Sequence, residues 1–199
     1  MTALAPGFHD VPDGHIATIV THLEMRAKPA PRPEAPCTDL TLGPLEARTP
    51  ESYRALFRLV GADWLWQSRL AMGDPALAAI LGDPGVEIRV LRRGSDAVGL
   101  LEIDRRDRTS VEIAFFALVA PMQGTGAGRW MMNRALDLAW ATSPARVWVH
   151  TCTLDHPAAP AFYRRSGFVV TRQEVEVLAD PRLAGLLPRD AAPHIPLFD

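Results

Sequence analysis

The stretch Gln123-Gly124-Thr125-Gly126-Ala127-Gly128 is the part of this 199-residue chain whose residue types and spacing most directly imply chemistry. Glycine lets a backbone approach a ligand without interference from a Cβ. Between a strand and a helix, such a turn aims unpaired N–H groups and the positive helix end at an anion, and a pyrophosphate is a natural guest. A dinucleotide-binding turn would read GxGxxG at the start of a βαβ unit, and this one reads GxGxG. A Walker A loop needs a GK[ST] ending, yet Lys28 is the chain's only lysine and lies far away. A strand-to-helix turn with no ligand is the remaining alternative. Upstream, Glu112 interrupts the apolar run Val111 to Val119 (VEIAFFALV). A carboxylate in such a strand is costly to bury and needs a partner, which makes Glu112 the first candidate general base, against a glutamate that faces solvent or pairs with an arginine. Glu102, also inside an apolar run, is a weaker candidate for that role.

The elements that would position these groups follow from periodicity. His15 to Met25 (HIATIVTHLEM) is β-branched and partly alternating, as in a strand. Four prolines between Lys28 and Pro36 make an extended connector. Leu40 to Ala47 reads as a second, weaker strand. Thr49-Pro50-Glu51 opens a helix, with Thr49 as N-cap, Pro50 at the first helical position and Glu51 near the positive end. Val86 to Leu91 and Ala97 to Ile103 form a hairpin across Arg93-Gly94-Ser95-Asp96. Val111 to Val119 suits a central strand buried on both faces. Gly126 to Trp140 has helical periodicity, and Arg146 to Cys152 is a strand carrying His150. Asp155 to Arg165 is a short helix, with Asp155 as its N-cap and Gly167 as its stop. Phe168 to Leu178 is the final strand, and Leu183 to Leu187 is a helix candidate in a Pro-rich tail. Strands followed by alternating helix and strand predict an α/β fold, a mixed sheet with helices on both faces.

Composition narrows the partners. The formal net charge is −2, which lacks the basic excess of a non-specific nucleic-acid binder. Every basic residue except Lys28 is arginine, through base composition of the genome or through use of guanidinium for phosphate recognition. Cys37 and Cys152 are far apart and show no metal-ligand or disulfide spacing, as expected in a reducing compartment. Residues Met1 to Asp13 lack the basic start and apolar core of a signal peptide, and no apolar run approaches the roughly 20 residues of a membrane span. A soluble, cytoplasmic protein without metal, nucleic-acid or membrane partner is expected.

With these residues in place, the sequence resembles the GNAT superfamily of acyl-CoA-dependent N-acyltransferases. That family carries (Arg or Gln)-x-x-Gly-x-(Gly or Ala) after its fourth strand, and Gln123 to Gly128 fits it. It often shows Asn-x-x-Ala-x-x-x-Tyr-x-x-x-Gly-Phe after the fifth strand. His156 to Phe168 matches this second motif, with His156 in place of Asn. The resemblance covers about Thr49 to Leu178. It implies a largely antiparallel, twisted sheet in one structural domain: an N-terminal extension with an added strand (1–48), an acyltransferase core (49–178) and a Pro-rich tail (179–199). The added strand either extends the sheet or pairs with a second subunit as a homodimer.

The resemblance also implies roles. Acetyl-CoA would be the co-substrate, its pyrophosphate held by Gln123, Gly124, Thr125, Gly126, Ala127, Gly128 and Arg129. Ala117, Leu118 and Val119 would pair with the pantetheine arm like an added strand, with His156 nearby in place of the family's Asn. The thioester would enter a gap between the fourth and fifth strands. Tyr163 would be general acid for the thiolate, and an aromatic packing role is its alternative. The histone acetyltransferase branch carries a glutamate base at the distance of Glu112 from Gln123, and His150 beside the gap is the second candidate base. Trp64 and Trp66 would wall the acceptor site or pack in the core. Arg164 and Arg165 would reach the 3′-phosphate or stay solvated. The expected reaction is direct attack by the primary amine of a small-molecule or peptide acceptor in a ternary complex. Its rival is a non-catalytic acyl-CoA sensor on the same fold.

Overall fold

The computed structural model describes residues 4–198; Met1 to Ala3 and Asp199, the outer ends of the extension and tail, lie outside the described residues. The elements run β1 (His15–Met25), β2 (Leu40–Pro44), α1 (Pro50–Gly61), α2 (Asp74–Gly82), β3 (Val86–Arg93), β4 (Asp96–Asp104), β5 (Ser110–Leu118), α3 (Ala127–Ala139), β6 (Arg146–Cys152), α4 (Ala159–Arg165) and β7 (Val169–Ala179). The seven strands form one mixed, mostly antiparallel sheet in the order β2-β3-β4-β5-β6-β1-β7. The fold is α/β, with helices on both faces.

α1 starts where its cap chemistry requires. Thr49 Oγ1 accepts from Ser52 N at 3.2 Å, Ser52 Oγ accepts from Thr49 N at 3.3 Å, and Pro50 occupies the first turn. The helix buries Tyr53, Leu56, Phe57 and Val60 against β3 and β4, together with Leu77 and Leu81 of α2. α2 escapes periodicity because DPALAAILG is apolar almost all round. The opposite layer is α3 and α4. Met132, Ala135 and Leu136 of α3 and Tyr163 of α4 pack on Leu101, Ile103, Val111, Ile113, Val147 and Val149.

Two features position the site. First, β5 and β6 pair in parallel only over Ser110–Glu112 against Arg146–Trp148. Beyond that point the strands separate, and β5 from Ile113 to Leu118 keeps an unpaired edge toward β6. A register shift near Ala114 adds to this: Ile113 opposes Ile103, while Phe115 opposes Glu102. Second, β1 lies inside the sheet, antiparallel to β6 over Val20–Met25 and to β7 over His15–Glu24. The N-terminal strand therefore extends the sheet within its own chain. It holds β6 and β7 apart and sets His22 opposite His150.

Two local expectations are corrected. α4 begins at Ala159, and Asp155 is not its cap. Leu183 to Leu187 are turns rather than a helix. Asp180 and Arg182, both buried, pair at 2.7 Å instead. The Arg182 guanidinium also donates to the carbonyls of Ala191, Ile195 and Pro196. This clamp folds the tail so that Leu187 and Ala192 join the α1-side core.

Candidate active site

Where β5 and β6 part, they leave a cavity of about 600 Å³. One wall is the glycine turn. Gly124 and Gly126 have φ of +73° and +94°, in the left-handed region that favours glycine. A Cβ on Gly124 would meet nothing within 4 Å, so this backbone faces open space. Among the described residues, the amides of Gly124, Gly126, Gly128 and Arg129 have no acceptor. They are the orphan donors of a turn and a helix N-terminus, suited to an anion. Thr125 holds this shape from behind: its hydroxyl donates to Met122 O at 2.8 Å and accepts from Ala127 N at 3.4 Å.

Gln123, Gly124, Gly126, Gly128 and Arg129 line the cavity, as do Ala117, Leu118, His156, Trp64, Trp66, His150 and Tyr163. Thr125 and the buried Ala127 do not, and neither does Val119, whose amide donates to Val98 O at 3.0 Å. Glu112 is not part of the lining either. It sits behind His150, whose Nδ1 lies 3.2 Å from Glu112 Oε1. That hydrogen bond raises the imidazole pKa above its ordinary value, against the opposing effect of burial. Glu102 is fully buried elsewhere. It receives the Tyr53 hydroxyl and, at 2.6 Å, the Arg69 guanidinium.

The Tyr163 side chain is buried among Phe116, Phe162 and Phe168. Among the described residues its hydroxyl has no hydrogen-bond partner. Burial, with the Asp155 carboxylate nearby, pushes its pKa well above that of free tyrosine, so the phenol keeps its proton. The cavity floor is aromatic. Phe115 lies edge-on to Phe57 at 4.9 Å and beside Trp66 at 5.1 Å, and Phe116 meets Phe162 at 5.7 Å.

Asp155 ties the rim together, a role that its reading as a helix cap missed. One carboxylate oxygen accepts from Thr151 Oγ1 at 2.7 Å and Cys152 N at 2.9 Å, and the other from Trp66 Nε1 at 2.9 Å. Trp64 packs edge-on against His156 at 5.5 Å and against His194 of the tail at 6.0 Å. The α1–α2 connection, the β6–α4 loop and the tail thus meet at one side of the cavity. No local pattern signals the part played by the tail. Phe115 and Phe116 could have been found, because adjacent aromatics in a two-face strand must appear on both sides of the sheet.

The sequence profile of the Acetyltransferase (GNAT) family matches residues 53–168. The chain belongs to the GNAT acetyltransferase family. The matched segment runs from α1 through the glycine turn to Phe168 and excludes β1 and the tail. Solved structures agree on the fold. A GCN5-related N-acetyltransferase from Sphaerobacter thermophilus superposes with TM-score 0.57 at 11% identity, covering 83% of this chain and 53% of that one. One from Kribbella flavida gives 0.51 at 18%, covering 86% and 63%. An aminoglycoside acetyltransferase from an uncultured soil metagenomic sample gives 0.52 at 18%, covering 64% and 87%. The chain therefore spans between half and two-thirds of the length of the first two GNAT structures. Comparison with curated proteins finds no match. Among the described residues, no helix is long and apolar enough to cross a membrane, and no group of three or more His, Cys, Asp or Glu is placed to hold a metal ion.

Proposed function

We propose that this GNAT chain is an N-acetyltransferase that moves the acetyl group of acetyl-CoA to a primary amine of a small-molecule or peptide acceptor, by direct attack in a ternary complex. The observation that carries this reading is the shared cavity. Unpaired amides of a left-handed glycine turn, the free edge of β5, an imidazole backed by a carboxylate and a protonated phenol all border one space.

The residues fit the co-substrate. The amides of Gly124 to Arg129 would hold a pyrophosphate, and the edge at Ala117 and Leu118 would pair with an extended amide-bearing arm. Acetyl-CoA supplies the activated acyl group as a thioester. His150 stands at the cavity wall with Nδ1 directed to Glu112, which leaves Nε2 to take the proton that an acceptor ammonium must lose. Glu112 acts through His150: it orients the ring and stabilises its charged form. Tyr163 Oη holds a proton within the cavity for the departing thiolate. Trp64 and Trp66 form the acceptor-side wall, with positioning as the main source of rate.

The test is thiol release from acetyl-CoA across a panel of primary amines. The reading expects amine-dependent release that falls sharply in His150→Ala and Tyr163→Phe. Binding without release on any amine would favour a non-catalytic acyl-CoA sensor.

A further inference from the structure

The connector between β1 and β2 is a strap across α3 and the end of α4, outside the family-matched segment. Asn133 of α3 holds Arg32 by both backbone groups: its Oδ1 accepts from Arg32 N at 3.3 Å and its Nδ2 donates to Arg32 O at 2.9 Å. Lys28 pairs with Asp137 at 2.7 Å and Glu34 with Arg134 at 2.7 Å, which pins the strap on either side. Ala35 packs beside Gly126, where an added Cβ would meet it at 3.3 Å. The strap therefore reaches the glycine turn itself.

Fixed this way, the Arg32 guanidinium donates to the carbonyl of Arg165 at the end of α4. Arg129 is next to it. Its guanidinium lies over the Phe162 ring at 5.1 Å and donates to Ser166 Oγ at 3.1 Å. Arg129 and Arg165 both line the cavity. Lys28 and Arg134 have carboxylate partners, but among the described residues Arg32, Arg129 and Arg165 have none. Burial, then the like charges of Arg32 and Arg165, make Arg129 harder to keep protonated. Three gathered guanidinium groups without a counter-charge are unfavourable alone, and a bound dianion would reverse that.

We propose that Arg32, Arg129 and Arg165 form a phosphomonoester site, so that the N-terminal strap selects coenzyme A over its 3′-dephospho form. The assignment rests on the acetyl-CoA reading above and adds a residue from outside the matched family segment. The amides of the glycine turn suit a diester pyrophosphate. A cluster of planar, doubly donating cations suits the higher charge of a terminal phosphate.

The test is equilibrium titration of the full chain with coenzyme A and with 3′-dephospho-coenzyme A. Wild type is expected to bind coenzyme A about tenfold or more tightly, with the preference shrinking as salt rises. Arg32→Gln keeps the backbone clamp and removes the charge. It is expected to erase most of that preference by weakening coenzyme A alone. Arg165→Gln, which keeps the carbonyl that Arg32 uses, is expected to do the same and guards against a folding artefact at the strap. Equal affinity of wild type for both ligands, or equal weakening of both in the variants, overturns this site and leaves the acetyl-CoA reading standing. Failure of wild type to bind either ligand overturns both.

Discussion

His150 Nδ1 lies 3.2 Å from Glu112 Oε1, across the point where β5 and β6 separate. His150 borders the cavity, and Glu112 stands behind it. The hydrogen bond to Glu112 is the largest influence on His150, followed by opposing burial and by the charges of Glu112, Asp155 and Glu176. Its pKa is thus raised above the usual 6.5. A base must be neutral to accept a proton, so the acidic limb of kcat/KM should lie above that value. In Glu112→Gln the carboxylate is lost, His150 titrates at lower pH, and the limb should move down with it. A limb that stays in place would show that His150 does not carry it. NMR titration of the His150 ring reads the same shift without turnover.

Tyr163→Phe removes a hydroxyl that has no partner among the described residues and keeps the ring packed among Phe116, Phe162 and Phe168. The fold should lose little stability. If the phenol is the proton donor, kcat should fall by roughly 10²-fold or more while acetyl-CoA affinity is kept. An unchanged kcat would return Tyr163 to a packing role.

Gly124 sits at φ +73° with open space where a Cβ would point. Alanine there meets no clash, so its cost is backbone strain, roughly 1–2 kcal/mol. Gly124→Ala should lower the denaturation midpoint modestly and weaken acetyl-CoA binding more, because the new methyl projects where the ligand would approach. A variant neutral in both measurements would contradict the left-handed turn as a ligand cradle.

The tail clamp predicts a stability change away from the site. Burial raises the Asp180 pKa, but the hydrogen bonds from Arg182 outweigh it and leave the group below 3.8. A lowered carboxylate adds stability that is present above its unfolded pKa and lost as pH falls through the folded value. Arg182→Met should cost about 3–5 kcal/mol at neutral pH by stranding Asp180, and adding Asp180→Asn should recover part of it. Denaturant unfolding of both variants measures this. Neutral behaviour of the single variant would mean that the tail is not anchored there.

Much of this architecture was legible because its signals are local. Thr49 and Pro50 mark the start of α1, and Arg146–Cys152 reads as β6 at its observed bounds. The glycine turn at 124–128 follows a strand and opens α3 as its spacing predicts. What escaped depends on contacts between distant segments. Nothing within His15–Met25 says that it will lie between β6 and β7, since strand periodicity fixes a face and not a neighbour. Asp155 looked like a helix cap because its partners Trp66 and Thr151 belong to other elements. Arg32 carries no local signal, because its contacts, Asn133 and the Arg165 carbonyl, belong to distant elements. Glu112 and His150 were separate candidates in the sequence, and only the splay of β5 from β6 makes them one unit.

The claim that the cleft between β5 and β6 is built for acetyl-CoA is tested most directly by calorimetric titration of the purified chain with that ligand. A single saturable site, weakened in Gly124→Ala and retained in Tyr163→Phe, is the predicted result. The absence of saturable binding by the wild-type protein would contradict the account.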